Sequence, residues 1–195
     1  MKSSLKWMAL AASLVWLAAG CTTTVRYGDA TSSKPLSTDF GSADLQQIVA
    51  KMVDSMLSSD ATAEITATRR PVLIVDSVKN KTMQHIDTES ITDSIRTRLI
   101  RSRKFSFQDR TTEKALTEEL AYQQVASEKP VAYGQQTAAE YMLTSNLSEI
   151  EQSAGRVKDV YYKFTMSLRN LKTGELEWAD EQEIRKEKIR SVFGG

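Results

Sequence analysis

The residue best placed to do chemistry is a single thiol near the start of the chain. Cys21 is the only cysteine among 195 residues, and it follows a short apolar stretch that runs from Trp7 to Ala19. Two lysines precede that stretch, and Gly20 separates it from the cysteine. A cationic start, a short apolar run and small residues at a cleavage point are typical of a secretory signal. The run is too short to span a bilayer core of about 30 Å comfortably as a helix.

Residues 18–21, with the sequence Ala-Ala-Gly-Cys, resemble the lipobox of bacterial lipoproteins. The resemblance implies that residues 1–20 are a signal peptide and that Cys21 carries a diacylglyceryl group and an N-acyl chain. Thr22, rather than aspartate, follows the cysteine, which implies sorting to the outer membrane. The alternatives are an ordinary cleaved signal with a stray cysteine and an uncleaved anchor. We expect a domain that faces the periplasm and is anchored by lipid on Cys21, with no other cofactor.

Few other residues could support catalysis. His85 is the only histidine, so no Cys/His metal cluster and no histidine-assisted nucleophile with a spare partner can be assembled. Phosphate-loop and nucleophile-elbow motifs are absent. Asp76, at the end of an apolar strand, and His85, in a polar loop, remain as catalytic candidates. A strand-end carboxylate that binds loop amides and a solvated histidine are the simpler interpretations, and we expect neither enzyme activity nor a metal site.

Composition predicts one domain with flexible ends. The 26 basic and 25 acidic residues nearly balance, so nothing favours nucleic acid as a partner. Residues 21–41 are rich in Thr, Ser, Gly and Asp without helical or strand periodicity, which predicts a flexible tether after the lipidated cysteine. Residues 42–184 are sufficient for one globular domain, and residues 185–195 are expected to form a charged C-terminal tail.

Hydrophobic periodicity predicts an α+β fold. Apolar residues recur at helical spacing from Leu45 to Leu57, and two further helices are expected near residues 88–101 and 112–125. The β-branched run 72–75 predicts a buried central strand. Residues 160–169 alternate between apolar and polar types, as a half-buried strand requires, and Gly174 supplies a hairpin turn. We therefore expect a single mixed β-sheet of about five strands with flanking helices.

Two surfaces could contact a partner. One is an arginine row on the second helix, at positions 96, 98, 101 and 103, for which a plain exposed helix face is the alternative. The other is the outer face of the long strand, where Tyr161 lies beside Lys163 and Arg169. Aromatic and arginine side chains are enriched at protein interfaces, although a second layer of helix could cover this face instead.

Three stretches in order resemble the penicillin-binding protein activator LpoB family. They are residues 72–82 (VLIVDSVKNKT), residues 141–143 (YML) and residues 171–178 (LKTGELEW). The preceding amphipathic helix and the lipobox are also similar. The resemblance implies an outer-membrane lipoprotein that binds and stimulates a class A bifunctional peptidoglycan synthase, which is a penicillin-binding protein, without catalysing a reaction itself.

The candidate partner-binding residues are Asn80 and Lys81, in the loop after the first strand, and Tyr161 and Lys163 on the long strand. The tether, at about 20 residues with one proline, is shorter than the proline-rich tethers of enteric family members. The alternative function is that of a structural subunit in an outer-membrane secretion or flagellar assembly.

Overall fold

The computed structural model describes residues 37–109, 112–131 and 137–189. The predicted signal peptide, Cys21, the tether up to residue 36 and residues 190–195 of the predicted tail lie outside the described residues. No helix in the described part of the chain has the length and apolar character needed to cross a membrane.

Four helices and six strands make up the described residues. The helices are α1 (Ser42–Ser58), α2 (Asp60–Ile65), α3 (Thr88–Ser102) and α4 (Glu113–Ala126). The strands are β1 (Val72–Val75), β2 (Lys79–Lys81), β3 (Ser106–Phe107), β4 (Tyr141–Ala154), β5 (Val157–Asn170) and β6 (Leu176–Ile189).

The six strands form one open mixed sheet. Its order is β3-β1-β4-β5-β6, and β2 also pairs with β4. The pairs that involve β1 and β2 are parallel, whereas β4, β5 and β6 form an antiparallel meander. Gly174 adopts a φ of 81° in the turn between β5 and β6, a conformation that residues with a Cβ rarely adopt. The predicted α+β class with a single mixed sheet is confirmed, with one strand more than the expected five.

The core lies between one face of the sheet and helices α1 and α3. Helix α1 buries apolar side chains at helical spacing, including Ile48, Met52 and Met56, because these positions share one side of the helix. Asp87 caps α3 by accepting hydrogen bonds from two backbone amides of the first turn, each at 3.1 Å. The sheet contributes alternate residues, of which Phe164 is fully buried.

Helix α4 is packed more loosely than α1 and α3. Of its side chains only Leu120 is buried, while Tyr122 and Val125 are exposed. Leu116, near the start of α4, lines a cleft with Val72 at the β3 edge of the sheet. The remainder of the sheet face opposite the core is formed by polar and partly exposed side chains.

Two segments that the sequence predicts to be a loop and a tail belong to strands instead. Asn80 and Lys81 lie in strand β2, which pairs with β4, and not in a loop. The last strand does not end at Ile184 but continues to Ile189, so residues 185–189 of the predicted charged tail belong to the sheet. In both cases backbone pairing with a distant strand stabilises an extended conformation that these polar sequences do not favour by themselves.

Candidate interaction surface

The candidate interaction surface is the face of the sheet that points away from α1 and α3, which we call the polar face. Side chains of directly paired residues point to the same side of a sheet. Lys81, Ser148, Lys163 and Glu183 are paired in sequence across β2, β4, β5 and β6, so they form one transverse row on this face. Strand pairing therefore brings together Lys81 and Lys163, which are far apart in the sequence.

Tyr161 and Lys163 lie on the polar face, where they interact with acidic residues of β6. The Lys163 ammonium forms an ion pair with Glu181 at 2.5 Å, and this hydrogen bond raises the pKa of Lys163. A hydrogen bond to Glu183 is the main cause that raises the pKa of the Tyr161 hydroxyl. The two predicted contact residues on β5 are thus already bound to neighbouring carboxylates.

Asn80 and Lys81 point to opposite sides of the sheet. The Asn80 carbonyl oxygen accepts hydrogen bonds from the backbone and side chain of Thr82, at 2.9 and 2.8 Å, and its amide donates to the Gln84 carbonyl at 2.8 Å. Asn80 therefore stabilises the turn that follows β2. Lys81 belongs to the polar face, so the structure groups it with Tyr161 and Lys163 and separates it from Asn80.

The arginine row of α3 is partly neutralised. Arg96 forms an ion pair with Asp93 at 2.7 Å, and Arg98 forms one with Asp54 of α1 at 3.2 Å. Arg103 lies at the C-cap of α3 with a φ of 58°. The Arg98 pair joins α1 to α3, whereas the Arg96 pair lies within α3 itself.

The catalytic candidates are not assembled into a site. The Asp76 carboxylate accepts a hydrogen bond from the Ser77 backbone amide at 3.0 Å, which is the predicted role of a strand-end carboxylate. His85 is exposed in the loop between β2 and α3. Among the residues that the structure describes, no group of three or more His, Cys, Asp or Glu side chains could hold a metal ion.

A segment that the sequence assigned to the flexible tether packs on the domain instead. This docked segment comprises residues 38–41, immediately before α1. The Tyr162 hydroxyl donates a hydrogen bond to the Thr38 carbonyl at 2.9 Å, and the Phe40 ring contacts the Tyr162 ring edge-on with centroids 5.5 Å apart. The Phe40 backbone amide donates to the Gln84 side chain at 3.0 Å. The domain therefore begins several residues before the predicted boundary at residue 42.

A buried ion pair lies next to the docked segment and contacts it. Lys186 of β6 binds the carboxylate of Asp44, and the two side chains are only 8% and 6% exposed. The Lys186 ammonium also donates to the Asp39 carbonyl at 2.7 Å, while the Asp44 carboxylate accepts from the Gly41 amide at 2.8 Å. The last strand, the start of α1 and the docked segment are thus joined by one charged cluster. The sequence offered no signal for it beyond the position of Asp44 in the first helical turn.

Comparison with known proteins places this domain in a family. A family model described as the peptidoglycan-synthase activator LpoB matches residues 44–184, which is well over half of the chain. The chain belongs to the LpoB family. Among curated protein sequences, none matches the chain significantly.

Solved structures of LpoB are similar to this chain. The LpoB C-terminal domain from Salmonella enterica has 20% sequence identity and a TM-score of 0.45, and the similarity covers 72% of this chain and 98% of that chain. The corresponding domain from Escherichia coli has 22% identity and a TM-score of 0.44 over the same shares. The NMR structure of E. coli LpoB has 17% identity and a TM-score of 0.42, covering 88% of this chain and 86% of that chain.

Part of the charged cluster lies outside the region that the LpoB family model matches. Asp44 is the first matched residue, whereas Asp39 and Lys186 fall on either side of the range 44–184. The matched region therefore covers most of the sheet and helices, and residues from both flanks complete the packing at the start of α1.

A second ion pair connects the segment before β1 with the residue before β4. Arg69 donates to Glu140 through two guanidinium nitrogens, one of them at 2.6 Å, and Glu140 also accepts from the Val72 backbone amide at 3.2 Å. The hydrogen bond from Arg69 is the main cause that lowers the pKa of Glu140 from 4.5 to about 2. The pair stabilises the parallel alignment of β1 and β4.

We expect the free energy of unfolding to decrease as the pH falls from 4.5 towards about 2, in part through Glu140. Because the folded-state pKa is lowered, the stabilising contribution is complete above the unfolded value and disappears as the pH falls through the folded value. Both side chains are partly exposed to solvent, so the effect is small. Urea unfolding of the wild type and of Arg69→Gln should differ at about pH 6 and converge near pH 2. A difference that is the same at both pH values would contradict this assignment.

Proposed function

We propose that this chain is an outer-membrane lipoprotein that binds and stimulates a class A bifunctional peptidoglycan synthase and does not catalyse a reaction itself. The match of residues 44–184 to the activator family carries this proposal. The Asp76 carboxylate accepts a hydrogen bond from the neighbouring Ser77 amide, and His85 is exposed. Both observations are consistent with a protein that binds a partner.

The proposed mechanism is a shift in the synthase's conformational equilibrium. An activator that binds the active conformation more tightly than the resting one increases the active population, by at most the ratio of the two affinities. A tenfold increase in that ratio corresponds to about 1.4 kcal/mol, which a few additional contacts can supply. No catalytic group on the activator is required.

The proposed lipid on Cys21 limits where the partner can be met. Because residues 38–41 pack on the domain, residues 22–37 are the length of chain between the lipidated cysteine and the docked segment. Sixteen residues span roughly 55 Å when fully extended. The start of the docked segment would therefore lie within that distance of the lipid anchor, and the dimension of the folded domain would add to the reach of its contact surface. Mass spectrometry of the mature N-terminus tests the anchor: we expect a peptide that begins at an acylated Cys21, and an unmodified N-terminus would contradict it.

The test of the function uses the full-length protein in detergent with purified class A synthases. We expect binding at micromolar concentration or below and an increased rate of glycan polymerisation, of peptide cross-linking, or of both. The synthase alone and the lipoprotein alone serve as controls, and the lipoprotein alone should show no turnover. Absence of binding to every class A synthase tested at about micromolar concentration would overturn the proposal. A ring-shaped oligomer in detergent would favour a structural subunit of an outer-membrane assembly.

A further inference from the structure

Two cations on the polar face have no side-chain partner among the described residues. Lys79 and Lys81 are both exposed, and neither forms an ion pair or a side-chain hydrogen bond with any other described residue. Both side chains point to the polar face, because Lys79 pairs with Asn146 and Lys81 pairs with Ser148. Their position contrasts with that of Lys163, whose charge is balanced by Glu181.

Most charges on the β6 side of the polar face are paired, Glu181 with Lys163 and Arg185 with Asp159, whereas, within the described residues, the two lysines of β2 are not. Acidic residues lie on β6, at Glu181 and Glu183, three strands away from β2. With about 4.8 Å between neighbouring strands, the backbones of the two groups are roughly 14 Å apart. This separation exceeds the Debye length of about 8 Å at physiological ionic strength, so the β6 carboxylates do not neutralise Lys79 and Lys81. The β2 side of the face remains cationic.

Strand β2 also offers an unpaired backbone edge. Among the described strands it pairs with β4 alone, and all three of its residues are exposed. An extended peptide can add to such an edge through main-chain hydrogen bonds, while its alternate side chains provide specificity. Alternate residues of an extended chain are about 6.8 Å apart, which is also the spacing of Lys79 and Lys81 along β2.

We propose that β2 is the docking edge for an acidic extended segment of the partner synthase, with carboxylates at alternate positions bound by Lys79 and Lys81. The inference rests on the proposed function and specifies the chemistry of the partner. Of the predicted contact residues it retains Lys81, adds Lys79, and gives less weight to Tyr161 and Lys163, whose polar groups are engaged with β6. Charge complementarity would mainly increase the association rate and the specificity of binding.

The test compares two double variants of the full-length protein with the same change in net charge. Lys79→Glu/Lys81→Glu is expected to weaken binding to the synthase by about tenfold or more, through unfavourable interactions with the acidic segment. The matched control, Lys51→Glu/Lys172→Glu, reverses two exposed lysines elsewhere and should change the dissociation constant by less than about twofold. Raising the salt concentration should weaken wild-type binding more than binding of the β2 variant.

The outcomes separate this inference from the function on which it rests. If the wild type binds a synthase and the β2 variant, with unchanged thermal unfolding, binds equally well, then the lysines only protect the sheet edge from aggregation and the inference is overturned. Equal weakening by both double variants would show an effect of net charge alone and would also overturn it. If the wild type binds no class A synthase, the proposed function fails, and this inference fails with it.

Discussion

Lys186→Ala is expected to lower the free energy of unfolding by about 3–5 kcal/mol. The substitution removes the partner of Asp44 but leaves that carboxylate buried, with 6% of its side chain exposed. A buried charge without its partner retains the cost of desolvation and loses the compensating attraction. The hydrogen bond to the Asp39 carbonyl is lost as well, which removes one of the contacts between β6 and the docked segment.

Urea unfolding at neutral pH measures this effect. Lys188→Ala is the matched control, because Lys188 points to the same side of β6 but is exposed, and we expect a change within about 0.5 kcal/mol. A double variant, Lys186→Met/Asp44→Leu, removes both charges and should be more stable than Lys186→Ala, since no unpaired buried charge remains. If Lys186→Ala unfolds at the wild-type urea concentration, position 186 belongs to a solvated tail and the buried ion pair is wrong.

Phe164→Ala is expected to destabilise the domain by a similar amount, about 3–5 kcal/mol. Phe164 is fully buried in the centre of β5 and pairs with the equally buried Leu147 of β4. Truncation removes most of an aromatic side chain from a packed core, and the surrounding helices and strands relax only partly into the cavity.

The adjacent residue provides the control for this prediction. Thr165 points to the polar face, where its hydroxyl accepts one long hydrogen bond of 3.4 Å from Asn146. We expect Thr165→Ala to cost less than about 1 kcal/mol, because the side chain is partly exposed and its hydrogen bond is weak. The comparison, made by urea unfolding, tests whether only one face of the sheet is covered. Equally large losses for the two variants would mean that both faces are buried.

Local patterns in the sequence were sufficient for the elements that bury one regular face. Helix α1 follows from the helical spacing of its apolar residues, and β5 follows from its strict alternation. The cap at Asp87 and the turn at Gly174 depend only on the nearest few residues, so they too could be predicted. The mixed single sheet follows from the order of these elements, because a helix and a strand with one apolar face each must pack against one another.

Polar segments could not be assigned in the same way. Residues 79–81 and 185–189 carry few apolar side chains, and they become strands only because β4 and β5 offer backbone hydrogen bonds. The short helix α2 lies in a polar stretch without apolar periodicity, and Ser59 caps it by accepting a hydrogen bond from the Thr62 amide at 3.2 Å. In each case the deciding contact lies outside the hydrophobic pattern.

The candidate interaction surface, too, could be predicted from the sequence only in part. The sequence by itself determined the residue types that could contact a partner, including Lys81, Tyr161 and Lys163, and it determined the lipobox and the family resemblance. Only the tertiary structure decided which of these side chains share a face, which are already bound to carboxylates, and that Lys79 belongs with them. It alone placed Lys186 beside Asp44, 142 residues earlier in the chain. The physical reason is that side-chain periodicity is a local property, whereas strand register and the burial of a charge depend on residues that only folding brings into contact.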